Sequence, residues 1–451
     1  MKIVVFTFIR YSHIIPILPL LRQICANADN MVTIFCKKEY TYLFQEFKCE
    51  LLFYHDNYME NYIHAKKQEE FKEKNIFLRK KISEFYYEKK ETESLEKEYL
   101  KNHFIQSILG MVNEETQSLE RYNKFINDLE PDLIIRDSIE LIGLYYGKKK
   151  NIPVHSYITN NIYSLEFLKN SEKESFLGYF QLLEQDTFNI NNEKRNNLLA
   201  ATEEAYLEVS HILNNDSIYP AFQQAPQEKI CFICSSPQIH PPIFLGEKTD
   251  YIFLGNSFNE KEFYNVSKSE IEFIAKAANS RKGYLSYGSY IKIPIETIVS
   301  EIREILNYTD HLIVSCPKST LSMISILLSE KEKQQVLLKE GVNQKYILAN
   351  VDFFISSGGW NSIKEAIAYE VPLIINPLFS EQILNGKMII DLEIGISFYH
   401  SKYISKNYTQ VLESYFNKYE LYKENIKKLN TKLQMNQYPS IQISNILENL
   451  S

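Results

Sequence analysis

The sequence predicts an α/β protein built from two doubly wound parallel sheets. Short apolar runs alternate with helical patterns over most of its 451 residues, and this alternation is typical of parallel βαβ units. A chain of that length usually divides into two or three domains. Apolar residues make up 45% of the chain and charged residues 24%, a globular composition that excludes disordered and collagen-like classes.

The candidate strands fall into two groups along the chain. The first group lies at 2–9, 31–36, 132–136, 153–157 and 229–234. The second group lies at 251–254, 283–286, 311–315, 335–338, 352–356 and 372–375. Each group has enough strands for its own sheet, so we predict two Rossmann-like domains.

Breaks in the alternation set the predicted domain boundaries. A stretch at about 60–127 is rich in Lys, Glu and Tyr, lacks Pro and shows helical spacing, so we interpret it as a helical insertion. Three prolines favour an extended linker at 237–250. We therefore predict a first domain at 1–236, a second at 251–433, and a helix at 434–451 that packs back on the first domain.

Charge and hydropathy exclude several partners. A formal net charge of -7 argues against nucleic acid, because phosphate contacts need a clustered surplus of Lys and Arg. No run of about 18 apolar residues occurs, so no transmembrane segment is expected. The apolar start is interrupted by Arg10 and lacks a cleavage site, so we interpret it as a strand and expect a cytoplasmic protein.

The one C-x-x-C pair does not resemble a metal site. Cys231 and Cys234 lie in an apolar run, where strand alternation would point them to opposite faces, and no second ligand pair is visible. Buried thiols are the better interpretation.

The segment 352–365 carries the most informative chemistry. An apolar strand leads into Gly358 and Gly359, and a helical pattern follows. Paired glycines let a phosphate come close to the backbone, and the free N–H groups at a helix start favour its charge. Asn361 and Ser362 add side-chain donors there. Glu365 lies about one turn further along, which is roughly the step from a nucleotide's phosphates to its ribose hydroxyls.

A second pair of polar residues follows the next predicted strand. Glu381 and Gln382 come after the strand at 372–375. In an open parallel sheet, ligands bind outside the carboxyl ends of the strands. A carboxylate and an amide at that edge suit sugar hydroxyls.

The run from Ser357 to Gln382 resembles the signature of the UDP-glycosyltransferase superfamily. That signature is H-C/G-G-W-N-S-x-x-E, followed by G-V-P, then P and D/E-Q. Here Glu370-Val371-Pro372 replaces G-V-P, while Pro377, Glu381, Gln382 and Asn385 keep their places. The spacing from Gln344 to Ser357 is most similar to the bacterial macrolide and antibiotic branch of the family.

Other segments extend the resemblance over most of the chain. Residues 11–20, YSHIIPILPL, are similar to the opening G-H-x-x-P-x-L-P-L of the family. Residues 133–137 and 151–154 are similar to its P-D-L-V-x-x-D and G-I-P-V segments. The loop Ser286-Tyr287-Gly288-Ser289 resembles its S-x-G-S loop.

The resemblance implies a GT-B fold, in which two Rossmann-like domains face each other across a cleft. The first domain would hold the acceptor and the second the nucleotide-sugar donor, with inversion at the anomeric carbon. His13 would be the general base, and Asp137 would orient it. The donor would be bound by Gly288, Ser289, Gln344, Ser357, Gly358, Gly359, Trp360, Asn361, Ser362, Glu365, Glu381 and Gln382. No Asp-x-Asp motif occurs, so neither a metal nor another cofactor is expected.

The chain departs from the family pattern at three positions. Ser357 stands where the family has a histidine that contacts the diphosphate. Gly341 stands where an aromatic residue or arginine commonly covers the nucleotide base, and Ser12 where a glycine precedes the catalytic histidine. These changes leave the identity of the donor's nucleotide base open.

We expect an inverting, metal-independent glycosyltransferase that moves a sugar from a UDP- or dTDP-sugar to a hydroxyl of a small natural product. The enzyme alternatives are a lipid-acceptor GT-B transferase and a nucleotide-sugar epimerase. A non-catalytic, transferase-like partner or activator protein is the third hypothesis. A homodimer or an accessory protein stays open as a partner.

Overall fold

The computed structural model shows two compact α/β units, with the main boundary between Ser257 and Phe258. It describes residues 1–54 except 9, 126–163 except 141, 228–241, 249–255, 266–276, 280–287, 294–378, 380–400 and 407–435, with a few isolated residues elsewhere.

The first unit contains a seven-stranded parallel sheet in the order β3-β2-β1-β4-β5-β6-β7. The strands are β1 Lys2–Phe6, β2 Met31–Cys36, β3 Glu50–Phe53, β4 Leu133–Asp137, β5 Val154–Ile158, β6 Ile230–Ile233 and β7 Asp250–Phe253. The central strands read as almost continuous apolar runs because helices bury both faces of a parallel sheet.

Helices cover this sheet on both sides. They are α1 Tyr11–Ile14, α2 Leu18–Ala26 and α3 Ile142–Lys150, with 3-10 turns at Ile15–Ile17 and Lys38–Phe44. Successive side chains of β1 pack into hydrophobic cores on opposite faces of the sheet. Ile3 and Val5 pack with α2, whereas Val4 and Phe6 pack with α3. This alternation is the period-2 geometry of a strand.

The second unit contains a six-stranded parallel sheet in the order β10-β9-β8-β11-β12-β13. The strands are β8 Lys282–Ser286, β9 His311–Ser315, β10 Val336–Lys339, β11 Phe353–Ser356, β12 Leu373–Ile375 and β13 Gly395–Ser397. Its helices are α4 Lys268–Lys276, α5 Ile295–Ile305, α6 Lys318–Leu327, α7 Glu330–Gln335, α8 Gln344–Leu348, α9 Trp360–Ala368, α10 Ser380–Asp391, α11 Tyr408–Phe416 and α12 Tyr419–Met435. The predicted pair of doubly wound parallel sheets is confirmed.

The predicted boundary between the domains is wrong at one strand. The strand predicted at 251–254 to open the second domain is β7, which pairs with β6 as the last strand of the first sheet. The described residues of the predicted linker, 237–241 and 249–250, therefore belong to the first unit. Among them His240 is buried and accepts a hydrogen bond from the Ile162 backbone N–H at 3.0 Å.

Two short strands were missing from the prediction, and two predicted segments lie mostly outside the described residues. β3 and β13 have four and three residues, too few for a clear apolar period. Within the insertion predicted at 60–127, the residues described between 73 and 99 are helical. The C-terminal helix predicted at 434–451 overlaps the end of α12 and otherwise falls outside the described part. No helix among the described residues is long and apolar enough to cross a membrane.

A buried carboxyl group joins two strand ends of the second unit. Glu301 of α5 is 6% exposed. It accepts hydrogen bonds from the Tyr287 hydroxyl at 2.5 Å and from Asn376 Nδ2 at 3.1 Å. Tyr287 directly follows β8 and Asn376 directly follows β12. Burial raises the pKa of Glu301 to about 7, although the two hydrogen bonds lower it.

This raised pKa predicts that Glu301 lowers the stability of the protein as the pH rises. The folded protein holds a proton on Glu301 that the unfolded chain releases near pH 4.5. The group's stability contribution is therefore fully present below about pH 4.5 and lost as the pH rises through about 7. Relative to wild type, Glu301→Gln should gain up to about 3 kcal/mol between pH 5 and pH 8, measured by urea unfolding. Glu296→Gln, at an exposed position of the same helix, is the control; equal pH slopes for wild type and Glu301→Gln would contradict the assignment.

Candidate active site

A histidine and an aspartate meet at the carboxyl edge of the first sheet. His13 lies on α1, which follows β1, and Asp137 is the last residue of the neighbouring strand β4. His13 Nδ1 is 2.9 Å from Asp137 Oδ2. The Asp137 side chain is fully buried, whereas 15% of the His13 side chain is exposed. The pair therefore presents an accessible imidazole backed by an enclosed carboxylate.

The hydrogen-bond pattern fixes the roles of the two imidazole nitrogens. A carboxylate only accepts hydrogen bonds, so Nδ1–H of His13 donates to Asp137 and the Nε2 lone pair is left to accept a proton. The other carboxylate oxygen, Oδ1, accepts from the Ile139 backbone N–H at 3.0 Å. This arrangement has the geometry of a base oriented by a carboxylate.

Thr159 is a third polar residue at this site, and the sequence prediction missed it. Its Oγ1 lies 3.2 Å from His13 Nδ1. The residue directly follows β5, the strand next to β4. Its position just beyond the strand predicted at 153–157 was the available signal, because side chains at neighbouring carboxyl ends share an edge.

The two glycines after β11 have different structural needs. Gly358 has a φ of +87°, and a Cβ there would lie 2.8 Å from Ile375 Cγ2. Gly359 is the N-cap of α9, with φ -60° and ψ 136°, and a Cβ there would meet nothing within 4 Å. No side chain caps α9. Its first N–H groups therefore form a cradle of the kind that binds phosphate.

Three of the predicted donor-site residues come together beside this cradle. Gln344 Nε2 donates to Glu365 Oε2 at 2.6 Å and to Ser362 Oγ at 3.3 Å. The Tyr284 hydroxyl donates to Gln344 Oε1 at 3.2 Å, which sets the orientation of the amide. Burial raises the pKa of Glu365 above its ordinary value, opposed by the hydrogen bond from Gln344.

Ser357 and Gln382 contact each other. Gln382 Nε2 donates to Ser357 Oγ at 3.3 Å, and Gln382 Oε1 accepts from the Leu378 backbone N–H at 2.9 Å. Both Ser357 and Gln382 are buried. The amide thus bridges the residues that follow β11 and β12.

Glu381 lies at the start of α10 and is half-buried. Its Oε1 accepts from Asn385 Nδ2 at 3.4 Å, and the same Asn385 nitrogen donates to the Gly358 carbonyl at 2.9 Å. The first turn of α10 is therefore tied to the paired glycines.

The remaining predicted donor-site residues differ in their placement. Trp360 begins α9 and is only 2% exposed, with its indole nitrogen buried, so the backbone N–H is the group it can offer to a ligand. Asn361 is half-buried in the first turn of α9. Gly288 and Ser289 lie outside the described residues.

The cysteines of the described residues are free thiols. Cys231 and Cys234 are both buried, and desolvation raises the pKa of Cys231. In the part of the chain that the structure describes, no group of three His, Cys, Asp or Glu side chains could hold a metal ion.

Comparison of the sequence with known proteins gives consistent matches. The family of UDP-glucoronosyl and UDP-glucosyl transferases matches residues 333–437. The NDP-glycosyltransferase YjiC of Bacillus subtilis is 24% identical over 395 residues, covering 86% of this chain and 81% of that protein. Anthocyanidin 3-O-glucosyltransferase of Solanum melongena is 28% identical over 167 residues, or 36% of this chain and 39% of that protein.

Solved structures share the fold over almost the whole chain. The glycotransferase of kitacinnamycin superposes with a TM-score of 0.63 at 14% identity, covering 99% of this chain and 98% of that one. The calicheamicin glycosyltransferase CalG4 superposes with a TM-score of 0.61 at 12% identity, covering 100% and 98%. At these identities the likeness shows the fold alone.

The two parallel sheets, together with the sequence relatives, define a glycosyltransferase of the GT-B fold. Its similarity to the UDP-glycosyltransferase superfamily is carried by the family match at residues 333–437 and by the long match to YjiC.

Because Gly358 and Gly359 differ in backbone conformation and in the space around them, alanine should have a different effect at each position. Gly359→Ala should fold normally, because a Cβ has room there, yet weaken UDP binding by about 10- to 100-fold, because the methyl group occupies the space over the helix start. Gly358→Ala should instead destabilise the fold by about 1–3 kcal/mol, since its positive φ strains any other residue.

Thermal unfolding and UDP titration separate these outcomes. Trp360 is the only tryptophan of the chain and begins α9, so its fluorescence can be followed during the titration, with calorimetry as a second readout. Unchanged UDP affinity in Gly359→Ala would refute the cradle.

Proposed function

We propose that this protein transfers a sugar from a UDP- or dTDP-sugar to a hydroxyl of a small natural-product acceptor, with inversion and without a metal. The observation that carries the proposal is the 2.9 Å hydrogen bond between His13 Nδ1 and the buried Asp137 carboxylate. A non-catalytic partner would have no need of such a pair.

The acceptor half of the reaction uses this pair. His13 Nε2 takes the proton of the acceptor hydroxyl while the oxygen forms a bond to the anomeric carbon of the donor. The bond between that carbon and the diphosphate oxygen breaks on the opposite side, so the configuration inverts. Asp137 stabilises the imidazolium that forms, and positioned general bases of this kind contribute about 10²–10⁴ in rate.

The diphosphate leaves with growing negative charge, which the start of α9 can stabilise. The uncapped backbone N–H groups after Gly359 and the side chains of Asn361 and Ser362 are suited to this task. Ser357 offers a neutral hydroxyl whose oxygen already accepts from Gln382. We therefore expect weaker donor binding here than in relatives that have histidine at this position.

The ribose would bind beside Gln344 and Glu365. The Gln344 amide holds Glu365 Oε2, so the other carboxylate oxygen can accept from ribose hydroxyls. Two solved relatives illustrate the donor alternatives: an anthocyanidin 3-O-glucosyltransferase was solved with UDP, and the spinosyn rhamnosyltransferase SpnG with thymidine diphosphate. Glu381 and Gln382 are the residues we assign to the sugar hydroxyls.

The acceptor assignment draws on the relatives. SpnG was also solved with spinosyn aglycone. CalG4 is named as the calicheamicin glycosyltransferase, and a third relative is named as an anthocyanidin 3-O-glucosyltransferase. These acceptors are small molecules of unrelated scaffolds, as expected where variable loops form the acceptor site of a fixed fold.

Replacement of the base should separate catalysis from donor binding. His13→Ala should lower the turnover of any acceptor by about 10²–10⁴ while UDP affinity changes little, because UDP would bind to the other domain. UDP release with an acceptor panel measures turnover. His311→Ala is the matched control, because His311 lies on β9 and its Nδ1 is 3.1 Å from Ser280 Oγ. Full turnover in His13→Ala would exclude it as the base.

The ribose contact predicts a nucleotide-dependent loss of affinity. Glu365→Ala should weaken UDP by about 10-fold or more, and dTDP by a smaller factor, because dTDP lacks the 2′-hydroxyl. Titrations of UDP and dTDP against wild type and Glu365→Ala give the loss of affinity for each nucleotide. Equal losses for UDP and dTDP would contradict a carboxylate contact to the ribose.

A further inference from the structure

A buried arginine lies directly before the candidate orienting residue. Arg136, the fourth residue of β4, is 1% exposed and is among the largest fully buried side chains of the described residues. Its guanidinium forms an ion pair with Glu228, including Nε to Oε1 at 2.7 Å. Glu228 lies 92 residues further along the chain, so this pair fastens the end of β4 to the start of β6.

The same guanidinium organises the turn that follows β4. Arg136 Nη1 donates to the carbonyl oxygens of Asp137 at 3.0 Å, Ser138 at 3.0 Å and Glu140 at 2.5 Å. A single nitrogen therefore gathers three carbonyl oxygens around one positive charge. Because charge-assisted hydrogen bonds are the strong ones, the path of the backbone from Asp137 to Glu140 depends on this contact.

The path of that turn determines the orientation of the Asp137 carboxylate. With the carbonyls held by Arg136, the Ile139 N–H faces Asp137 Oδ1 at 3.0 Å, and Oδ2 is left for His13 at 2.9 Å. The Ser138 N–H donates to the Tyr157 carbonyl at 2.8 Å, which joins the turn to β5. Arg136 touches neither His13 nor any reacting atom, so an effect on catalysis would have to pass through Asp137.

We infer that Arg136, held by Glu228, is a positioning residue that keeps the Asp137 carboxylate aligned with His13 for proton transfer. This rests on the proposed function of the pair. The geometry requires a forked cation: the guanidinium reaches Glu228 through Nε and Nη2 while Nη1 reaches the turn. A lysine ammonium is a single point charge that cannot occupy both places.

The first test is a double-mutant cycle on kcat. Arg136→Lys should reduce kcat by about 10- to 100-fold, the loss expected when a catalytic group is slightly misplaced. In an Asp137→Asn background the same substitution should change kcat by less than about 3-fold, because the group it positions is already lost. Donor affinity, measured by UDP titration, should change little in both backgrounds.

The matched control is Arg303→Lys. Arg303 has a similar arrangement on the second unit: its Nε donates to Glu332 Oε1 at 2.9 Å and its Nη2 to the Leu327 carbonyl at 2.8 Å. Lysine there should leave kcat unchanged. Glu228→Gln, which removes the anion but preserves the shape, should show the same non-additivity with Asp137→Asn as Arg136→Lys does.

The second test needs no substrate and so separates this inference from the proposed function. In wild type, the His13 Nδ1–H should give a downfield proton NMR signal that is protected from exchange by Asp137. That signal should be absent from His13→Gln and should be lost or broadened in Arg136→Lys.

An unchanged NMR signal and a kcat within about 3-fold of wild type in Arg136→Lys would overturn the positioning role. So would an equal loss of kcat in both backgrounds, because that loss would not pass through Asp137. If the signal is lost in Arg136→Lys while no nucleotide sugar is ever turned over, the positioning role holds and the proposed function fails.

Discussion

Parallel strand pairing is the constraint on which the rest of this structure depends. Helices cover the sheet faces, so most side chains along the strands are apolar. The polar groups of the two candidate sites lie at or just beyond the strand ends. His13, Asp137 and Thr159 meet at the carboxyl edge of one sheet, and Ser357, Gly359 and Gln382 at the carboxyl edge of the other.

The edges hold their shape through buried polar groups. Arg136 with Glu228 organises the end of β4, and Glu301 with Tyr287 and Asn376 joins the ends of β8 and β12. An unpaired charge in such a place would be costly, and Arg136 and Glu301 are each compensated by several hydrogen bonds. The two networks differ in their chemistry: one is an ion pair, whereas the other is a carboxyl group whose pKa burial raises to about 7.

The two domains divide the chemical work that we propose. The first sheet carries a proton acceptor with an enclosed carboxylate behind it, while the second carries a helix start with uncapped N–H groups. One edge is suited to removing a proton and the other to receiving negative charge. The proposed reaction needs both, because a hydroxyl group loses its proton as it attacks the sugar and the departing diphosphate gains negative charge.

The amino-acid sequence was enough to predict the fold class and eleven of the thirteen strands that the structure describes, and its contiguous motifs supplied the candidate site residues. These features are local: apolar period and glycine placement depend on near neighbours along the chain. Tertiary structure alone decided that β7 completes the first sheet, because a strand's partner is set by packing and not by its own residues. It also showed that Thr159 reaches His13, and that Arg136 gathers the carbonyls around Asp137 with Glu228 behind it. These contacts join residues up to 146 positions apart, and no local pattern encodes a meeting that only the order of the strands brings about.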